Sequence, residues 1–591
     1  MAYRVDKPYE RNEAIILAFD IGTTHTAVSF SHAIPGEHPD VRSVIKWPGQ
    51  PEASGDSKIP TIIAYQDGEA KYFGAEAREF LEDEDYEIAR WFKPRLHPAS
   101  MKLDRAGNGS DSSEYPPLPR GVSLVEVYSD FIRYIYGVTK NFFINNTPNG
   151  QQTWSRLHDQ MPIVFCTPNG WDLCQHAVLT DASIRAGIAA EVDAEDCLWF
   201  LTEGEASVHY ALAHNKTVDW LNQGTIFAVT DVGGSTVDST LYHCQSRSPL
   251  VLEEVCASAC VQAGGIFVDQ TIREILERKL NGSEYSDHES ISLMVRQFEQ
   301  KTKRAFDGSQ ATNVIQFGSS KDNDKVYDIV KGKLTLSCEE IEEAYVSVIF
   351  SIVDSCNTLL ANHMVQYLIL VGGFGESPYL RGQLKCILGG KGTEVVTVEE
   401  PSKKAAADGA VIWYLTELVE GRATRFDYGI IHATRYNPSL HEKYKDISFT
   451  NADGGKYIST FKVLIPKDTI LNAQWKILVH KTRVLLDPSD PSFDGEIVAH
   501  ILSWRGKSPA PHILDLSQFQ SWELPPGLAE TIQIRANLGA ILNPAKTSLN
   551  QTTGKPYCDA NISYEFSLKG MKLRARIHWT EKVLMRPSMT N

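Results

Sequence analysis

No apolar run in this chain approaches the roughly 20 residues that a membrane-spanning helix needs. The opening segment, MAYRVDKPYERNE, is too polar for a secretory leader. Neither an anchor nor a signal peptide is therefore expected. Positive charge is also short: 58 lysines and arginines against 74 aspartates and glutamates give a formal net charge of -16 and a pI near 5.6. That balance argues against nucleic acid or an anionic membrane as the main partner, yet a small anion would need only local positive charge. The ten cysteines include no CxxC pair and no metal-type spacing, which speaks against a disulfide framework or a zinc site and fits reduced thiols. The expectation is a soluble intracellular protein, cytoplasmic, with the nucleus left open.

At 591 residues the chain exceeds what one core supports and should split into domains, and an apolar fraction of 42% is that of an ordinary globular protein. The stretch that organises it is AIILAFDIGTTHTAVSF, Ala14 to Phe30. It reads as a buried strand, a turn at Asp20-Ile21-Gly22-Thr23-Thr24, and a second strand from Thr26. Gly22 lets backbone N–H groups converge on an anion, and Thr23 and Thr24 add hydroxyl donors. Asp20 only accepts hydrogen bonds, so it suits a phosphate site only if hydrated Mg²⁺ lies between. One copy could be a plain hairpin turn. The pattern returns, however, in TIFAVTDVGGSTVDSTLY (Thr225 to Tyr242), with Asp231, Gly233, Gly234, Ser235 and Thr236. Two such hairpins imply two related lobes gripping one nucleotide. A third piece, YLILVGGFGESPYL, is a strand running into Gly372-Gly373, where bare backbone could receive a ring or a sugar, with Ser377 and Pro378 suited to start a helix.

Between these lie segments of plainer character. Residues 1–13 read as a polar lead, Ile59 to Tyr65 as one strand, Glu76 to Arg90 as an acidic helix, and Ala106 to Gly121 as a loop. Helices are expected over Ser123 to Phe142, Trp171 to Ala186, Ala263 to Leu280, Ser290 to Phe306, Cys338 to Asn362 and Lys404 to Glu420. Thr202 and Glu205 fit a capping box, a structural role, which leaves Glu203 free to favour a helix N-terminus or to face a metal. Lys303 and Arg304 beside Glu299 would ordinarily be a solvated helix face. After about Gly421 alternating patterns such as Ile532, Ile534, Ala536, Leu538 and Leu573, Ala575, Ile577, Trp579 replace helical periodicity and predict a β-rich domain of about 150 residues. The tail Arg586 to Asn591 reads as unordered.

Hairpin, hairpin, then strand–GG–helix, in that order, resembles the actin-like ATPase superfamily. The likeness is greatest to the seventy-kilodalton heat-shock (DnaK-like) chaperones, and in particular to their divergent type-twelve branch. FDIGTTHTAVSF resembles the first phosphate motif of that family, TDVGGSTVDSTL the second and LILVGGFGESPYL the adenosine motif. PIVFCTPNGWDLCQHAVLTDASIRAGI resembles the strand–helix connection that precedes the hinge in that family, and TEGEAS its Glu-Pro-x-Ala-Ala segment. The likeness covers about residues 14–420. It implies an α/β fold: a two-lobed actin-like (ribonuclease-H-like) ATPase domain over 14–420, with lobes of about 14–220 and 221–420, then a β-rich, sandwich-like domain over 426–585 able to bind clients.

The resemblance also implies roles. Asp20 and Asp231 would hold Mg²⁺ through water. Gly22, Thr23, Thr24, His25, Gly233, Gly234, Ser235 and Thr236 would surround the phosphates of ATP or ADP. Lys93, in WFKPRLHP, would stabilise charge on the γ-phosphoryl group, with Glu203 behind the attacking water. Gly265, Glu299, Lys303, Arg304, Gly372, Gly373 and Phe374 would enclose the adenosine, Glu299 and Gln300 being interchangeable in the alignment. Partners implied are ATP, unfolded polypeptide clients and co-chaperones, and no nucleic acid or membrane. The sequence departs from the family at Phe374 and Glu376, where a small hydroxyl residue and an arginine are usual, and at the lysines of PSKKAAADGA. GRATRFDYG stands in place of an acidic, leucine-containing linker. A chaperone ATPase is the leading reading. A nucleotide-gated scaffold without turnover is the alternative, and a small-molecule kinase, for which no catalytic base stands out, is third.

Overall fold

The computed structural model describes residues 3–50, 57–98, 101, 115–214, 220–398, 404–416, 418–472, 476–486, 496–506, 508–516, 524–537, 548–551, 553–554, 556–569 and 572–579. It divides into two compact units, residues 1–254 with 258–420, and residues 255–257 with 421–591.

The first unit is built on two sheets of parallel design. In one, strands β1 (Ala14–Ile21), β2 (His25–Ala33), β3 (Asp40–Ser43), β4 (Lys58–Pro60), β5 (Ile163–Thr167) and β6 (Leu198–Thr202) run in the order β3-β2-β1-β5-β6, with β4 also on β2. The hairpin β1–β2 is antiparallel, while β1, β5 and β6 are parallel. In the other, β7 (Ile226–Val232), β8 (Val237–Arg247), β9 (Leu250–Glu254), β10 (Ala259–Val261), β11 (Tyr367–Val371) and β12 (Glu394–Thr397) repeat the scheme. The hairpin β7–β8 is antiparallel and β7, β11 and β12 are parallel. Strands covered on both faces need apolar side chains on both, which is why β1 reads as a continuous run. Ile15, Leu17 and Phe19 pack into one core with Val127, Phe131 and Ile135 of helix α1 (Leu124–Asn146).

Two helices are exchanged between the sheets. Helix α3 (Glu203–His214) leaves β6 of the first sheet, but its Val208, Tyr210 and Leu212 pack with Phe227, Val229, Ile369 and Val371 of the second. Helix α8 (Ala405–Thr416) follows β12 of the second sheet and packs on β1, β2 and β5 of the first. The two helices lie against each other at Gly409, where a Cβ would overlap the Ala206 carbonyl oxygen. Asp408 adds a buried polar anchor, accepting from Ser29 Oγ at 2.5 Å and Ser43 Oγ at 2.9 Å.

Several sequence expectations need correcting. The lead is docked: Tyr3–Arg4 pairs with Asp40–Val41, and Val5 and Tyr9 are buried. Ile59 to Tyr65 is two strands, because Pro60 supplies no N–H and the chain passes after it into a separate sheet with Glu69–Phe73 and Glu87–Arg90. Glu76 to Arg90 is not one helix but a short 3₁₀ turn, Glu76–Phe80, and that strand. The consecutive acids Glu82 to Asp85 repel one another on a helix surface. Ser290 to Phe306 is not one uniform α-helix: α5 (His288–Gln297) is followed by a π turn, Phe298–Thr302, and one short α-helical turn, Lys303–Ala305. Lys404 to Glu420 ends as a helix at Thr416, and a strand begins at Val419. Helices α2 (Leu173–Ala186), α4 (Gly265–Lys279) and α6 (Cys338–Leu360) match to within a few residues, and α7 (Pro378–Gly389) starts at Ser377-Pro378 as expected. Gly187 terminates α2 at φ 74°, and Ser337 with Glu340 closes a capping box on α6.

The second unit is antiparallel. A five-stranded sheet runs Phe449–Thr450, Lys456–Ile465, Asp427–Arg435, Glu496–Trp504, Leu528–Asn537, and a four-stranded one contains Lys476–Leu486, Pro556–Lys569, Ser548–Leu549 and Lys572–Trp579. Ile430, Ile465 and Ile501 of the first share a core with Ile562, Tyr564 and Phe566 of the second. The alternating Ile532, Ile534 and Ala536, and Leu573, Ala575 and Ile577, pack against it. Leu538, the Trp579 side chain, residues 106–114 and the tail after 579 lie outside the described residues.

The close crossing of α3 and α8 yields a test. Gly409→Ala should destabilise the protein by about 1–3 kcal/mol, the cost of overpacking a tight contact, read from urea denaturation midpoints. An unchanged midpoint would contradict this crossing.

Candidate functional site

The carboxyl ends of β1, β7 and β11 open on one cavity of about 360 Å³. Parallel strands direct their chain reversals to the same edge, so a duplicated fold brings both acidic turns to one place. Asp20, Gly22, Thr23, Thr24 and His25 line it from the first hairpin, and Asp231, Gly233, Gly234, Ser235 and Thr236 from the second. Gly372, Gly373 and Phe374 enter from the loop after β11. Gly265, at the start of α4, and Glu299, Lys303 and Arg304, around the π turn, close another side, while Lys93 and Glu203 stand at the base. Of the interchangeable Glu299 and Gln300, Glu299 lines the cavity and Gln300 is exposed.

Each glycine has its own cause. A Cβ on Gly22 would overlap the His25 carbonyl oxygen, and one on Gly234 would stand 3.0 Å from Thr24 Oγ1, where the two hairpins meet. Gly372 has φ +89° and leaves room for Asp231 Oδ1, whereas a Cβ on Gly373 would meet nothing within 4 Å. Bare backbone thus serves the acid at Gly372 and open space at Gly373. The second loop is braced by Gly233 N–H donating to the Thr236 carbonyl at 2.9 Å, Gly264 N–H to Ser235 at 2.9 Å and Ile266 N–H to Gly234 at 2.9 Å. The loop after β11 is tied back by Phe374 N–H donating to the Val232 carbonyl at 2.9 Å.

The charges are buried and paired. Lys93 Nζ donates to Glu203 Oε1 at 2.5 Å, Lys58 Nζ to Asp20 Oδ2 at 2.9 Å, Lys303 Nζ to Asp269 Oδ2 at 2.5 Å, and Ser207 Oγ to Asp231 Oδ2 at 2.5 Å. Burial raises Glu203 above the usual carboxylate range against the pull of Lys93. Burial lifts Asp269 to about 7, with Lys303 opposing. Burial, and then the cations Arg78 and Lys58, hold His25 at about 3, so its imidazole is neutral. The charge cluster of Glu299, Lys303 and Arg304 is not simply solvated because the π turn re-aims it at the cavity. Thr202 Oγ1 accepts from Glu205 N–H at 3.2 Å, and Glu205 is fully buried, in keeping with its capping role.

Lys58, Ser207 and Asp269 belong to the cavity or brace it and were not singled out from the sequence, and Glu376 and Ser377, noted there only as a departure from the family and as a helix start, also line it. Asp269 could have been noticed as a lone acid on the apolar face of α4 with Ile272 and Leu276. Lys58 gives no such signal, since a lysine opening a strand is commonplace.

No ligand is needed to see that the cavity suits a polar one. Among the described residues, Ser235 Oγ and Asp269 Oδ1 are buried without a hydrogen-bond partner. Also among them, no group of three or more His, Cys, Asp or Glu side chains could hold a metal directly. Asp20 and Asp231 could therefore hold Mg²⁺ only together with water and ligand oxygens, which is how that ion usually binds. The described cysteines are free thiols, and no described helix is long and apolar enough to cross a membrane.

Heat shock 70 kDa protein 12B from Homo sapiens is 22% identical to the chain over 531 residues, covering 75% of this chain and 74% of that protein. Heat shock 70 kDa protein 12A is 22% identical over 523 residues in both Mus musculus and Homo sapiens, covering 73% of this chain and 74% of either. The chain is thus similar to the divergent type-12 members of the 70 kDa heat-shock family. No protein-family model matches it. The similarity to 70 kDa heat-shock proteins points to nucleotide binding of a chaperone-like kind, and the mixed α/β sheets agree with that likeness.

Asp231 supplies a test of the buried charge. Burial raises its carboxyl from 3.8 to about 6, opposed by the Ser207 hydrogen bond and reinforced by Asp20 and Asp238. The native state therefore keeps this proton to higher pH than the unfolded chain does. Its contribution favours folding below about pH 4 and is lost as pH rises through about 6. Asp231→Asn, which cannot ionise, should match the wild type near pH 4 and exceed it by roughly 1–3 kcal/mol above about pH 7. Urea denaturation across that range measures the gap, and a gap independent of pH would contradict the assignment.

Proposed function

We propose that the chain is an ATP-binding, ATP-hydrolysing chaperone-type protein in which nucleotide state controls the β-rich unit. The observation that carries the reading is the convergence of both acidic hairpins and the GG loop on one cavity. In it, residues of about 14–420 form an actin-like ATPase domain, with one lobe up to about 220 and the other after it, and residues of about 426–585 form the client-binding domain. Mg²⁺, held through water by Asp20 and Asp231, would supply charge neutralisation at the phosphates. Backbone N–H groups of the two turns, with Thr23, Thr24 and Thr236, would bind phosphate oxygens. Lys93 would stabilise charge at the terminal phosphate, and Glu203 would orient water. Phosphoryl transfer asks the protein for positioning and charge, and the side chains at the cavity are of those kinds.

On the adenosine side, Gly373 offers open backbone, and Phe374 stacks on Tyr345 with ring centres 6.0 Å apart. Lys303 is held by Asp269, which sets it beside the cavity. Exchange of α3 and α8 between the sheets gives the lobes a shared pivot, and a hinge of that kind would let ligand closure be felt elsewhere in the chain.

A second reading, a nucleotide-gated scaffold without turnover, draws on the Lys93–Glu203 bond, which occupies the one lysine assigned to the terminal phosphate. Phosphate release from ATP by the purified full chain, with and without unfolded polypeptide, separates the two. Asp20→Asn and Asp231→Asn should each abolish Mg²⁺-dependent turnover, and Lys93→Ala should lower it about 10²- to 10³-fold with ATP still bound. Unchanged hydrolysis in both aspartate variants refutes the metal assignment, and no hydrolysis by the wild type despite ATP binding leaves the scaffold.

A further inference from the structure

Lys58 reaches Asp20 because of sheet register. Ala27 on β2 faces Asp20 of β1 on one side and Lys58 of β4 on the other, so the three residues form a row across the sheet. Residues in one row project from the same face, and the middle member here has only a methyl group. The lysine stem can therefore pass over Ala27 and set its ammonium 2.9 Å from Asp20 Oδ2. Both partners are largely withdrawn from solvent, with side chains 19% and 8% exposed. Across the cavity the charges of Asp231 and Glu203 also favour the ammonium, opposing the penalty of burial. Lys93, the other cation at the base, is already committed to Glu203, and His25 is neutral.

An ammonium in contact with Asp20 competes for the carboxylate that a hydrated divalent ion would use, since two cations cannot share one oxygen closely. A lysine on a flexible four-carbon stem is also able to turn from a carboxylate to a phosphate oxygen a short distance away. We propose that Lys58 is a tethered counter-cation of this cavity: it neutralises Asp20 when no divalent metal is present and turns to the phosphates of an entering nucleotide, so that nucleoside triphosphate binds here with little dependence on Mg²⁺. The inference rests on the nucleotide-binding reading given above and adds to it a distinct metal dependence.

The test is binding, not turnover. Calorimetric titration of the full-length chain with ATP, in excess Mg²⁺ and in chelator at equal ionic strength, should give wild-type affinities within about tenfold of each other. Lys58→Met should weaken metal-free binding by about 10- to 100-fold, the range of a charge-assisted hydrogen bond, and Mg²⁺-loaded binding by no more than about threefold. Lys58→Arg, which keeps the charge, should follow the wild type. Mg²⁺ alone, without nucleotide, should raise the melting temperature of Lys58→Met more than that of the wild type, because Asp20 is then free to take the ion. Equal losses in metal and chelator, or equal Mg²⁺ shifts in both proteins, overturn the role of Lys58. Failure of the folded wild type to bind ATP in either condition overturns the nucleotide-binding reading itself, and this inference with it.

Discussion

Asp20, Asp231, Asp238 and Glu203 are buried at or beside a single cavity, and carboxylates removed from water must be paired, hydrogen-bonded or protonated. The rest of the first unit can be understood as the means of meeting that demand. Lys58 and Lys93 each answer one acid directly. Ser207 donates to Asp231 and the Asn169 N–H donates to Asp238 at 2.6 Å. What remains unsatisfied, Ser235 Oγ above all, faces the space a polar ligand would fill. Holding so many buried acids at one place comes at a cost in folding stability.

Two sheets of the same design hold those hairpins, and the exchanged helices lock them in relation to one another. Because α3 belongs to the first sheet by sequence and to the second by packing, and α8 the reverse, the two sheets are tied together through the helix crossing at Gly409. The contact is close and backbone-to-backbone, which leaves it no room to compress.

Much of this was legible in the sequence because local patterns carry it. The strand–acid–glycine–hydroxyl repeat announced both hairpins, and Ser337 with Glu340 announced the start of α6. Legibility failed where tertiary context overrides local pattern. The acids of Glu82 to Asp85 looked helical yet separate a 3₁₀ turn from a strand. The π turn at Phe298–Thr302 redirects a charge cluster that periodicity assigned to solvent. Lys58 depends on register across three strands, which no spacing along the chain reveals. Gly372 was read as room for a ligand, although its positive φ and its closeness to Asp231 explain it fully.

The central claim is that two hairpins, one from each half of a duplicated fold, close on a single metal–nucleotide. A crystal structure of the full chain with a non-hydrolysable ATP analogue and Mg²⁺ addresses it most directly. The account predicts one metal ion bridged through water to both Asp20 and Asp231, with phosphates against Gly22–Thr24 and Gly233–Thr236. A nucleotide bound by one hairpin alone, or outside the cavity they share, would contradict it.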